Sequence, residues 1–352
     1  MFVKIGLQIC YQNHPGLADA DMFRKETQLA IEAEAMGYEF VGLVEHHFGD
    51  YAMCPDNAQV LAYIAAKTRT IKLMPAAFIL PWNDPLRVVE KAILLDILSE
   101  GRVILGLGRG LSRREFEGFR TDMAESRERF DQAAKIVLDG VENGFVEADT
   151  PFYKQPRVEI RPRAEQSFKG RSYMVGMSPA SVETAARLGI GCLKFSQGPW
   201  EQAMTEVNAY RDKYRDIHAQ EAPPLLISDI VSCFPDERKA REYAVHYMGI
   251  YHQSVLSHYE MTGSHFKDMP SYASYAAGAE ALKRDGAPKA LEAYIEANLA
   301  GTPEQIIENL KQRATVIGDS DLSLNVTYGG MPYEDVWQQA KLFAEKVMPH
   351  VV

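Results

Sequence analysis

The sequence predicts an α/β chain closed into a (β/α)8 TIM barrel with insertions. The prediction stands on three features. Short apolar runs alternate with amphipathic helical segments along the whole chain. About eight such units can be counted. Several of the helices start at Pro or Ser and stop at Gly, as separate strand–helix units do. Alternation of this kind implies a parallel sheet, and eight units favour a barrel over an open sheet.

The elements follow in order. "VKIGLQI" (Val3 to Ile9) reads as a strand, and "DMFRKETQLAIEAEAMG" as a helix closed by Gly37. "FVGLVE" is the second strand, with "NAQVLAYIAAKT" its helix. "IKLMPAAFIL" reads as one third strand, and "PLRVVEKAILLDILSEG" as a helix with Pro85 at its start and Gly101 at its end. "RVILGLG" precedes the helix "ESRERFDQAAKIVLDGVENG". "SYMVGM" precedes "SPASVETAARLG", "IGCLKFS" precedes "PWEQAMTEVNAYRDKY", and "PLLISDIVSCF" precedes "DERKAREYAVHYMG". "TPEQIIENLKQRATVIG", "DLSLNVT" and "YEDVWQQAKLFAEKVM" complete the chain. A barrel needs about 250 residues. Residues 1–352 therefore read as one barrel domain whose surplus lies in insertions near 147–171 and 257–288. The first could contain a hairpin. The second is rich in Gly, Ser, Tyr and His with weak periodicity, and reads as an irregular, mobile active-site lid.

Composition excludes several classes. Net charge is −10 with no long basic run, which argues against a nucleic-acid groove. No apolar run reaches the roughly 18 residues of a membrane helix. The start lacks a signal-peptide layout, so the expectation is a cytoplasmic protein. Cys10, Cys54, Cys192 and Cys233 form no CxxC pair and read as reduced, buried thiols. His252, His258 and His265 lack helical i, i+4 spacing, so no metal site is predicted.

In a barrel, chemistry sits where strands end. Glu45, His46 and His47 follow the second strand, where an imidazole can exchange protons near neutral pH. Gly106, Gly108 and Gly110 alternate at the end of the fourth strand around Arg109. They leave room for a flat ligand beside a guanidinium suited to an anion. After the strand ending at Met177, Ser178 is placed to cap a helix that starts at Pro179 and carries Ser181 in its first turn, an arrangement that favours phosphate.

The stretches "EHHF", "AAFILP", "LLDILSEGR", "GRGLSRREFEGFRTDMAESR", "MSPAS", "LAGTPEQ" and "KLFAEKVMP" together resemble the bacterial luciferase-like flavin-dependent monooxygenases, close to the luciferase α-subunit pattern over nearly the whole chain. The resemblance implies a two-component monooxygenase. It would take FMN as FMNH2 from a separate NAD(P)H:flavin reductase and act with O2 through a C4a-hydroperoxyflavin. By similarity, His46 is the proton-transfer group, with His47 its possible helper. Arg109, Arg127, Ser178, Ser181 and the Met177 amide hold the flavin phosphate, and Ala76, Ala77 and Gly108 lie by its ring. A cis peptide between Ala76 and Ala77 is implied too.

The light-emitting subunit has a reactive cysteine at Gly108 and tryptophans near Phe195 and Tyr251, so oxygenation without light is expected. The substrate is a small apolar molecule (aldehyde, ketone or terpene-like), with Phe78, Tyr251, Tyr272 and Tyr275 as candidate walls. The competing readings are an F420-dependent hydride-transfer enzyme on the same barrel, bacterial luciferase proper, and a non-catalytic flavin-binding subunit. A homodimer packed through the "NAQVLAYIAAKT" region is expected.

Overall fold

The computed structural model describes residues 4–269 and 272–351. Val3, the first residue of the expected first strand, and residues 270 and 271 of the expected lid lie outside that set. The strands are β1 (Ile5–Ile9), β2 (Phe40–Leu43), β3 (Lys72–Pro75), β4 (Phe78–Ile79), β5 (Leu105–Gly108), β6 (Phe145–Asp149), β7 (Lys154–Glu159), β8 (Ser172–Val175), β9 (Gly191–Phe195), β10 (Leu225–Cys233), β11 (Leu299–Gly301) and β12 (Ser320–Asn325). The α-helices are α1 (Asp19–Met36), α2 (Asn57–Ala65), α3 (Pro85–Leu98), α4 (Arg113–Gly118), α5 (Ser126–Asn143), α6 (Pro179–Leu188), α7 (Trp200–His218), α8 (Glu237–Tyr243), α9 (Gly249–His258), α10 (Ala273–Asp285), α11 (Ala287–Ala297), α12 (Pro303–Ile317) and α13 (Tyr333–Lys346).

The large sheet runs β3-β2-β1-β12-β10-β9-β8-β5-β4, with every pairing parallel. A parallel bridge between Leu73 and Val103 joins its two ends, closing the TIM barrel. The third strand is not continuous, as the sequence reading had it. It breaks into β3 and β4 at Ala76–Ala77, where the peptide is cis as expected. β3 and β4 share one barrel position, so eight positions result. The short β11, which hydrophobic pattern alone did not reveal, pairs with the outer end of β10.

Side-chain alternation builds the interior in layers. Phe40, Met74, Tyr173, Leu193 and Leu226 fill the barrel's lower layer. Two residues further along each strand, Gly42, Ala76, Val175, Phe195 and Ser228 come next on the same inward face, and Ala76, Val175, Phe195 and Ser228 line a cavity. The barrel is therefore packed at one end and hollow at the other. Between strands and helices lies the main core, a continuous apolar shell running from Ile5 to Val351. All four cysteines are buried free thiols.

The first insertion contains the antiparallel hairpin β6–β7. Arg171 ties its return to α3 through a two-pronged bond to Asp96, at 2.6 and 2.9 Å. The second excursion differs from the irregular lid read from the sequence. Helix α8 passes through a π-helical turn (Ala244–Met248) into α9, and a 3-10 turn (His265–Asp268), α10 and α11 follow before β11. Its many Gly, Ser and Tyr residues masked helical periodicity, which α9 scarcely carries because apolar residues surround it on more than one face.

Gly106 is where β5 passes the bend between β3 and β4. A Cβ there would stand 2.1 Å from the Pro75 carbonyl oxygen, a collision with backbone that no rotamer relieves. Gly106→Ala is expected to lower unfolding free energy by about 1–3 kcal/mol, as overpacking does. Urea unfolding with an unchanged midpoint would refute this tight approach.

Candidate active site

The cavity at the C-terminal mouth of the strands spans about 1330 Å³ up to its open rim. His46 lines it, placed there because β2 ends at Leu43 and the chain then turns across the barrel mouth. His46 Nδ1 lies 3.0 Å from Glu115 Oε1, and the same oxygen accepts the His47 backbone N–H at 2.8 Å. Burial alone would push the Glu115 carboxyl up. The facing His46 and His258 imidazoles outweigh burial and hold it down at about 2. Glu115 is therefore an ionised acceptor. Facing an acceptor, His46 donates its Nδ1–H, and its other nitrogen, Nε2, lies 3.3 Å from the Tyr259 hydroxyl. A carboxylate that fixes the tautomer of an imidazole gives it a defined proton-accepting end.

His258, at the end of α9, sits on the other side of Glu115, with Nε2 3.6 Å from Oε1. Burial lowers its proton affinity, against the pull of the carboxylate. The donor atoms of His46, Glu115 and His258 lie within 4.8 Å of one another, a spacing open to chelation. The sequence reading saw no such set, because the three residues come from distant segments that only the fold brings together. Glu115 itself was missed. It lies on α4, six residues long and too short to show a periodic signal.

Glu45 has a different task from orienting His46. Its Oε1 accepts from Trp82 Nε1 (2.9 Å) and Asn83 Nδ2 (2.8 Å), and its Oε2 from the Ile79 N–H (3.2 Å). It anchors the segment after β4. The His47 ring packs edge-on against Phe119 and Trp82, and its Nε2 lies 3.4 Å from Glu45. That puts His47 outside the cavity lining, packed against the loop.

The floor beneath His46 is made of small residues. Ala76, Ala77 and Gly108 line it, and a Cβ at Gly108 would come within 2.7 Å of Ile79 Cδ1 and 3.2 Å of Ala77 Cβ. Asn57, another residue the sequence reading passed over, donates from Nδ2 to the carbonyls of both Leu43 and Ala77 at 3.2 Å. A flat bay results, wide enough for a ring.

At one end of the bay stands an anion cradle. Ser178 caps α6, accepting from the Ser181 N–H at 3.3 Å, and the two hydroxyls lie 2.8 Å apart. Arg127 donates from Nη2 to Ser181 Oγ at 2.9 Å. Its Nε and Nη1 are buried without a hydrogen bond among the described residues, with Asp131 Oδ1 3.9 Å from Nη1. Burial, reinforced by the like charge of Arg109, pulls Arg127 down to about 10. Arg109 and Met177 line the cavity beside it, and the Tyr272 ring covers the Arg109 guanidinium at 4.0 Å. The fold thus gathers Ala76, Ala77, Gly108, Arg109, Met177 and Ser181 on one wall, with Arg127 and Ser178 directly behind. Of the candidate substrate walls, Tyr251 and Tyr275 line the cavity. Phe78 instead faces the core between strands and helices, because the bend at Ala76–Ala77 reverses which side chains of the third strand point inward. Tyr272 sits on Arg109, and its hydroxyl lies 2.8 Å from Ser126 Oγ.

Glu115 contributes stability above the ordinary carboxylate range, and that contribution is lost as pH falls toward about 2. Glu115→Gln should cost about 1–3 kcal/mol at neutral pH, the penalty for breaking a buried charged network. The gap to wild type should close in acid. A gap in urea midpoints that stays constant from pH about 7 to about 3 would contradict the ionised state assigned here.

Residues 3–320 match the family model described as luciferase-like monooxygenase. The chain is 25% identical to the alkanal monooxygenase alpha chain of Photorhabdus laumondii subsp. laumondii, over 99% of this chain and 97% of that one. Its fold matches monooxygenase RslO1 from Streptomyces bottropensis with TM-score 0.84 and 26% identity, over 99% and 100% of the two chains. The FMN complex of the oxygenating constituent of 3,6-diketocamphane monooxygenase from Pseudomonas putida shares the fold at TM-score 0.76 and 17% identity, covering 99% of each chain. An F420-dependent secondary alcohol dehydrogenase shares it at 0.75 and 16%, covering 100% of each. With a family model matched over nearly its whole length, on a closed parallel barrel, this chain belongs to the luciferase-like monooxygenase family.

Proposed function

We propose that the chain is the oxygenating component of a two-component FMN-dependent monooxygenase, using FMNH2 supplied by a separate NAD(P)H:flavin reductase. The observation that carries this reading is the buried, hydrogen-bond-poor Arg127 beside Arg109 and the α6 cap, a site that calls for a dianionic phosphate at the end of a flat bay. The residues fit FMN: guanidiniums and hydroxyls for its phosphate, and Ala76, Ala77 and Gly108 beneath its ring. Bound there, a reduced flavin supplies two electrons to dioxygen, so that one oxygen atom enters the substrate and the other leaves as water.

The chain's own residues do the rest. His46 Nε2 accepts or returns a proton above the bay, its tautomer set by Glu115. Helices α9 to α11 cover the mouth and exclude water, and Tyr272 closes over Arg109. No helix among the described residues is long and apolar enough to cross a membrane. We place the enzyme in the cytoplasm beside its reductase. Tyr63 on α2 and Leu94 and Leu98 on α3 are exposed on neighbouring helices, and we assign this face to a homodimer contact.

Two measurements test the reading. With photoreduced FMN and oxygen, His46→Ala should lower oxygenated product about 100-fold or more while FMN affinity changes less than about threefold. Equal loss of both would remove the proton-transfer role. Turnover with reduced F420 in the absence of oxygen would replace the monooxygenase reading with hydride transfer. For the assembly, Leu98→Glu should convert a dimer to monomer in sedimentation. A wild-type chain that sediments as a monomer would overturn the contact.

A further inference from the structure

We infer that the substrate of this cavity is a planar aromatic molecule carrying several oxygens, a phenol or aryl ketone in place of a straight-chain aldehyde. The inference rests on the cofactor reading above, since that reading decides which part of the mouth remains for substrate. The cavity is lined from the whole circle of strand ends, including residues well away from the phosphate end. The flavin wall uses the ends of β3, β5 and β8. The ends of β1, β10 and β12 and the helices α9 and α11 bound the remainder.

That remaining half has a polar base and aromatic sides. Gln8, Ser228 and Asn325 are buried at its base. Gln8 Oε1 accepts the hydroxyls of Ser228 (2.7 Å) and Ser323 (3.3 Å), which fixes the amide; its NH2 group is shared with the Cys10 thiol and has a second N–H to give a ligand. Asn325 is fixed as well, its Oδ1 accepting the Thr327 N–H at 3.2 Å. Above them stand Tyr251, Tyr294 and Tyr51, with the Tyr51 and Tyr251 hydroxyls 3.1 Å apart.

Asn325 Nδ2 already donates to Cys10 Sγ (3.3 Å), so the groups left to meet a ligand are the second Gln8 N–H and the Ser228 oxygen; an alkyl chain lying here would cover both and return no hydrogen bond. A flat ring with oxygens on its edge meets both demands. Its faces pack on the tyrosines, and its edge accepts from the Gln8 amide and donates an O–H to the Ser228 oxygen. The chemistry comes from period two along the strands. Leu226 belongs to the packed layer, and Ser228, one inward step further, supplies a hydroxyl at the cavity base.

The test uses three ligands of ten carbons each, titrated calorimetrically into the protein with and without oxidised FMN: 2,7-dihydroxynaphthalene, naphthalene and decanal. FMN affinity is first measured alone by quenching of flavin fluorescence. The diol should bind at least about tenfold more tightly than either naphthalene or decanal. Gln8→Leu should erase most of that advantage over naphthalene while naphthalene affinity holds within about twofold, which also shows that the variant is folded. Decanal binding as tightly as the diol, in wild type, would overturn the inference whatever the variant does. Failure of FMN itself to bind would overturn the cofactor reading instead, and the ranking in FMN-free protein would still decide the substrate class.

Discussion

Burying a guanidinium without a full set of acceptors is costly, and Arg127 carries that cost: among the described residues its Nε and Nη1 have no hydrogen bond, and the like charge of Arg109 adds to the penalty. Asp131 Oδ1 forms a long ion pair with Arg127 Nη1 at 3.9 Å, beyond hydrogen-bond reach. Under the proposed reading a ligand phosphate meets that need, and the same cavity is lined by Gly108, Ala76, Ala77 and His46.

The machinery around His46 has the same logic of fixed charge. Glu115 stays ionised because two imidazoles and a backbone N–H face it, and in turn it accepts the His46 Nδ1–H. Glu45, next to His46 in the chain, is already engaged by Trp82, Asn83 and Ile79. Three neighbours in sequence thus take three positions: His46 lines the cavity, His47 packs against Phe119 and Trp82, and Glu45 holds a loop. Tyr259 and His258 bring the covering helices into the same network, so the position of the cover and the state of the imidazole are physically linked.

Much of this was legible in the chain. Alternating apolar runs with Pro and Gly boundaries revealed the barrel, and strand ends located His46, Arg109 and Ser178. What stayed hidden depends on contacts made far along the sequence. Glu115 meets His46 across 69 residues, and Tyr259 reaches it across 213. α4 is too short to show a helical period. The third strand breaks at Ala76–Ala77, and Phe78, named as a candidate wall, falls in the core between strands and helices. Of the covering helices only α9 lacks a clear apolar stripe; α11 carries a strong one that the sequence reading passed over inside a segment taken as irregular.

The central claim is that the arginine pair exists to hold a phosphate. The most direct measurement compares the affinities of FMN and riboflavin, which differ only in that group, for the wild-type protein at fixed salt. The account predicts FMN at least about 100-fold tighter, the scale of a charge-assisted contact made by two arginines. Equal affinities would contradict it.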